Sequence, residues 1–152
     1  MFVLIPLRLG MDNISPVYLK QLKYLFQLNQ SVGIMGGKDH MAIYLIGDED
    51  VQKNNSGLFY LDPHYVQPSV PRAQLEKHLG SSQSASHRFH LSPQHLDTYH
   101  TYDLRTLDPT NMQTSLAPGF YIRDHENFKK LVRQLKEMHS HFRDQCIFTI
   151  YD

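Results

Sequence analysis

One cysteine, Cys146, in a chain of 152 residues leaves no partner for an internal disulfide and fits a reducing compartment, with the cytosol as the default. Excess charge of either sign is lacking too: Lys+Arg and Asp+Glu both number 15, which argues against a nucleic acid or anionic membrane surface as partner. Long apolar runs are absent. Met1 to Leu9 is too short to span a bilayer, has Arg8 and Asp12 close by and carries no small-residue cleavage site, so it reads as neither signal peptide nor anchor. No internal repeat is visible, and Gly36-Gly37 lacks both the three-glycine spacing and the following helix of a dinucleotide fingerprint.

The length suits one domain, 1–152, able to bury about two thirds of its unfolded surface. Phe2 to Ile5 is a continuous apolar run of the kind that is covered on both faces, with Pro6 marking an edge or bend. The chain enters this strand at once, as happens when a preceding segment is missing. Ser15-Pro16 opens a helix whose apolar face is Val17, Leu19, Leu22, Leu25 and Phe26, with Lys20 and Lys23 on the wet side. Strands follow at Val32 to Gly37, Ala42 to Gly47 and Gly57 to Leu61, three in succession and antiparallel. Gly36-Gly37 is either a tight turn or a loop that lets another polypeptide's backbone approach closely.

Residues 69 to 118 are looser. They hold a short helix from Arg72 to Leu79, a flexible Ser-rich loop at 80–87 and a short strand around Arg88 to Leu91. His87, His90, His95 and His100 invite a zinc reading, but no cysteine or close carboxylate pair completes a tetrahedral set, so they read as solvated loop histidines, as do His139 and His141. No cofactor is expected. Pro118 to Ile122 is a strand, and Asp124 caps a helix with Phe128, Leu131, Val132, Leu135 and Met138 on its buried stripe. Cys146, Phe148 and Ile150 alternate in a last strand, which makes Cys146 a packed thiol rather than a nucleophile. The predicted class is α+β around a mainly antiparallel sheet flanked by helices.

The chemistry concentrates at Asp62-Pro63-His64, where the third strand ends. Side chains at i and i+2 of an extended segment point the same way, and Pro63 keeps Asp62 out of the helical region, so a carboxylate and an imidazole can be neighbours. Such an Asp fixes the tautomer of a His that deprotonates a thiol or hydroxyl. A turn with a solvated His is the alternative.

Six strings in register resemble the autophagins, cysteine proteases of autophagy: IPLRLG at Ile5 to Gly10, Gln30 to Ile34, MGGK at Met35 to Lys38, YLDPHYVQPSV at Tyr60 to Val70, LDP at Leu107 to Pro109, and APGFY at Ala117 to Tyr121. The resemblance implies the carboxyl-terminal half of a papain-like fold, with Asp62 and His64 as the catalytic Asp and His. It implies that Gly36, Gly37, Lys38, Asp39, His40 and Met41 form a substrate groove and a regulatory loop over its entrance. Here that loop reads KDHM where relatives carry a Pro after the basic residue. The implied substrate is a ubiquitin-like autophagy modifier, cleaved after its terminal glycine for priming or for release from phosphatidylethanolamine, with membrane contact only through the lipidated form. The implied nucleophilic Cys belongs to an amino-terminal half that nothing in this sequence matches, so the chain by itself is expected to be inactive. It is then a fragment, one part of a split protein, or a pseudoenzyme; a fragment is the favoured reading. Its sheet should then expose a contiguous apolar face. The competing readings are a non-catalytic module binding a ubiquitin-like protein and a fragment of a ubiquitin-fold modifier protease, which also uses an Asp-Pro-His element.

Overall fold

The computed structural model describes residues 1–38, 40–50, 53, 56–66, 68–72 and 93–151. The Ser-rich loop at 80–87, the expected strand at Arg88 to Leu91, and the expected helix from Arg72 to Leu79 beyond its first residue lie outside these. Two compact units emerge, one formed by Met1–Pro63 with Leu104–Asp152 and the other by His64–Asp103.

The first unit is built on a seven-stranded, wholly antiparallel sheet. Its strands are β1 (Phe2–Leu4), β2 (Leu7–Arg8), β3 (Ser31–Lys38), β4 (Met41–Asp48), β5 (Leu58–Leu61), β6 (Arg105–Leu107) and β7 (Ser115–Tyr121), in the spatial order β1-β7-β3-β4-β5-β6 with β2 also on β7. Helix α1 (Pro16–Phe26) starts with Pro at the first position, and Ser15 holds the extended cap conformation without a side-chain hydrogen bond. The second unit contains the short helix α2 (Pro93–Asp97), and its Tyr99 hydroxyl donates to the Pro68 carbonyl at 3.5 Å. Back in the first unit, α3 (His125–Phe142) is capped as expected, the Asp124 carboxylate accepting from the Asn127 N–H at 2.8 Å. That hydrogen bond, with the Arg123 side chain second, holds the Asp124 carboxyl below the usual range.

One face of the sheet is buried. Ile34, Ile43, Leu45, Leu58 and Phe120 share a core cluster with Leu22 and Leu25 of α1 and Leu131, Leu135 and Met138 of α3. Phe128, expected on the buried stripe of α3, is exposed.

The other face is open and still apolar. Register places Met35 opposite both Tyr44 and Ala117, Tyr44 opposite Leu61, and Phe2 opposite Tyr121, so these residues share a side. Phe2 is 57% exposed and Met35 51%. β1 was expected to be covered on both faces, but Phe2 and Leu4 are exposed; the strand lies at the sheet edge, one of the two places Pro6 suggested.

Two further expectations are corrected. Among the described residues no strand follows β7: a 3-10 turn at Arg143–Gln145 leads into irregular chain in which Ile147 is the buried residue. That segment is tied to α1 by the fully buried Gln21, whose Nε2 donates to the Gln145 carbonyl at 2.7 Å and whose Oε1 accepts from the Ile147 N–H at 2.9 Å. The second correction is Lys23. It is not on the wet side of α1; its side chain is 6% exposed and paired with the 2%-exposed Asp48 at 3.0 Å. The ammonium also donates to the carbonyls of Lys53 at 3.1 Å and Ser56 at 3.2 Å, and the adjacent Ser56 hydroxyl donates to Asp48 Oδ1 at 2.5 Å. α1 is thereby fastened to both ends of the β4–β5 connection.

Removing one member of such a pair strands the other in a low-dielectric site. Lys23→Met should lower the unfolding free energy by about 3–5 kcal/mol in urea titration. Lys23→Met with Asp48→Leu should recover much of it, and Lys20→Met, at an exposed position of the same helix, should change it by under about 0.5 kcal/mol.

Candidate active site

β4 and β5 run antiparallel with Tyr44 opposite Leu61, so the chain leaving β5 at Asp62-Pro63 emerges beside the start of β4. β3 and β4 pair through Lys38 and Met41, which brings the tip of that hairpin to the same end. The structure therefore gathers Gly36, Gly37, Lys38, Met41 and Asp62 at one end of the sheet. Asp39 lies outside the described residues. His64 is exposed, in the turn that opens the second unit.

The glycines do not form the turn. Gly36 and Gly37 are ladder residues opposite Ile43 and Ala42, and the connection falls two residues on, at 39–40, where His40 takes the left-handed φ of 67°. The nearest group to a Cβ built at Gly37 is the Gln113 amide oxygen, the end of a flexible and exposed side chain, while the Gln113 N–H donates to the Gly37 carbonyl at 2.9 Å. The close backbone approach is at Gly33, where φ is 107° and a Cβ would meet the Leu45 carbonyl oxygen at 2.7 Å and the Tyr44 ring at 2.6 Å. The signal for Gly33 in the sequence is slight, a single glycine inside a strand pattern, which often marks a bulge; the β3–β7 register does shift between Ser31 and Gly33.

A groove of about 520 Å³ opens on the exposed sheet face, floored by Gly33, Gly36 and Gly119 and walled by Phe2, Met35 and Tyr44. Pro63 lines it as well. Pro63, the residue after Asp62, thus borders an open apolar trough of the size that takes a ligand or an inserted peptide segment.

Asp62 itself is shielded, its side chain 10% exposed. An ionised carboxylate in such a place requires a cation or hydrogen bonds. Arg105 of β6 supplies one, its Nη1 3.6 Å from Asp62 Oδ2. The Lys38 ammonium lies 5.9 Å from the centre of the Tyr60 ring, a further cation at this end of the sheet. Sequence reasoning passed over Arg105, because a three-residue strand with one apolar side chain carries almost no periodic signal. Cys146 is half-buried and packed against the core cluster.

Comparison with known proteins decides the lineage. The model of the peptidase C54 catalytic domain family matches residues 1–134. The chain belongs to that family. Among curated relatives, a protein of Aspergillus niger named probable cysteine protease atg4 is 38% identical over 134 residues, covering 88% of this chain and 29% of the relative. The cysteine protease ATG4 of Pyricularia oryzae is 36% identical over 157 residues, covering 97% and 27%. One from Coccidioides immitis, again named probable cysteine protease ATG4, is 35% identical over 136 residues, covering 90% and 27%. The chain spans less than a third of the length of these relatives. The expected resemblance and the α+β class hold: the peptidase C54 domain is papain-like, and this chain presents its antiparallel sheet with two longer helices. Among the described residues no helix is long and apolar enough to cross a membrane.

The two glycines predict opposite responses to a methyl group. Gly33→Ala should destabilise the chain by about 2–3 kcal/mol, since backbone strain adds to a clash with a carbonyl that cannot move. Gly37→Ala should cost under about 1 kcal/mol, because Gln113 can swing away; the difference is read from two thermal melts.

Proposed function

We propose that this chain supplies the Asp and His of a cysteine protease that cleaves after the terminal glycine of a ubiquitin-like autophagy modifier, and that it works only with a second polypeptide segment carrying the nucleophilic Cys. The observation that carries the reading is Asp62, held at the end of β5 beside an open groove, in a chain whose first 134 residues match a cysteine peptidase family.

His64 takes the proton from the incoming thiol, giving a thiolate and imidazolium pair, while the Asp62 carboxylate fixes the ring. The thiolate attacks the glycine carbonyl, and the imidazolium protonates the leaving nitrogen. That nitrogen belongs to a carboxyl-terminal extension in priming, or to the phosphatidylethanolamine headgroup in delipidation. Water then attacks the thioester, with His64 as base. Gly36 to Met41 border the substrate groove, and the hairpin tip at Lys38 to Met41 governs entry. The cytosol is the compartment this chemistry suits, because the thiol must stay reduced.

The partner's seat is the open sheet face. An antiparallel sheet with one face in water normally alternates apolar and polar residues, whereas Phe2, Leu4, Met35, Tyr44 and Tyr121 leave this face apolar and exposed. The curated relatives carry more than two thirds of their length outside the matched region, enough for a Cys-bearing segment to cover it. Since Pro63 lines the same groove, a segment seated there lies next to Asp62.

Two outcomes are expected. The chain alone should release no product from a modifier carrying a carboxyl-terminal reporter. Mixed with the Cys-bearing part of the Aspergillus niger relative, it should gain turnover that Asp62→Asn or His64→Ala lowers about 10²–10⁴-fold. Binding of the modifier without cleavage in that mixture would replace this reading with a non-catalytic recognition module.

A further inference from the structure

We infer that Arg105 is a positioning residue for the reaction, fixing the Asp62 carboxylate so that it orients the imidazole; the inference rests on the protease reading above. β6 pairs with β5 through Leu58 opposite Leu107, Phe59 opposite Thr106 and Tyr60 opposite Arg105. Arg105 therefore stands on the same side of the sheet as Tyr60, one diagonal step from position 62. The paired part of β5 ends at Leu61, opposite Tyr44, so Asp62 lies one residue past the ladder and strand pairing does not set its carboxylate. The guanidinium reaches across that gap to Oδ2 at 3.6 Å.

The chemistry favours Arg here. A carboxylate that orients a His must stay ionised and keep one rotamer, and Asp62 is only 10% exposed, where an unpaired charge is costly. A guanidinium stays protonated at any working pH, and its planar fork holds a carboxylate in one plane, which the ammonium of Lys does less rigidly. Arg105 itself is 40% exposed, so removing its charge should not unfold the sheet.

Two measurements test this. In the 152-residue chain, an NMR titration of the Asp62 carboxyl should show its midpoint rising in Arg105→Met and staying near the original in Arg105→Lys, with the melting temperature of Arg105→Met falling by no more than about 5 °C, the loss that a rise of about one pH unit carries. In the mixture with the Cys-bearing segment, Arg105→Met should lower kcat about tenfold or more with KM for the modifier unchanged, and Arg105→Lys should restore only part of it. An unmoved titration overturns the contact. A moved titration with unchanged kcat overturns the positioning role, as does a fall in stability that parallels the fall in kcat. If the unsubstituted mixture shows no turnover, the protease reading fails and the role in turnover fails with it, while the titration still reports whether Arg105 holds Asp62.

Discussion

The buried pair of Lys23 and Asp48 is the interaction on which the placement of the site depends. It joins the last turn of α1 to the last residue of β4, and through Ser56 it also grips the chain two residues before β5 begins. β5 is only four residues long. In so short a strand a slip of one residue would turn every side chain to the opposite face and carry Asp62 away from Arg105. A charge pair at one end of the strand thus specifies what emerges at the other. Its cost is considerable, since Asp48 Oδ2 has no hydrogen-bond partner among the described residues. Two aliphatic side chains could pack the same space, but they would not select one register from its neighbours.

Much of this arrangement was legible in the chain. The caps at Ser15-Pro16 and Asp124, the apolar stripes of α1 and α3, and the three strands between 31 and 61 all rest on local signals of the kind periodicity records. Lys23 was misread because a lysine on an amphipathic helix is ordinarily solvated, and its partner lies twenty-five residues away, beyond any helical repeat. Irregular chain after Gln145 was mistaken for a strand because Cys146, Phe148 and Ile150 alternate, whereas Gln21 binds the backbone there and turns Ile147 inward. Of the site, Asp62-Pro63-His64 stood out by its tripeptide and its position at a strand end. Arg105 did not, because its role depends on β6 lying beside β5, which only tertiary pairing reveals.

The two faces of the sheet explain why the strands read as continuously apolar rather than alternating. Ile43 and Leu45 turn toward the helices while Tyr44 and Ile46 turn away, so both sets are hydrophobic for different reasons. The inner set holds this unit together. The outer set has no counterpart among the described residues, and a large antiparallel sheet left in that condition is sticky. The relatives in the same papain-like peptidase family carry more than two thirds of their length outside the region that this chain matches.

The hairpin formed by β3 and β4 is paired almost to its tip. Pairing persists to Lys38 and Met41, leaving two connecting residues, and the strand behind the tip is tied to neighbouring chain by the Gln113 N–H donating to the Gly37 carbonyl at 2.9 Å. Whatever displaces the Lys38 and Met41 end of the hairpin is therefore felt along two paired strands, and through β4 by the strand that leads to Asp62.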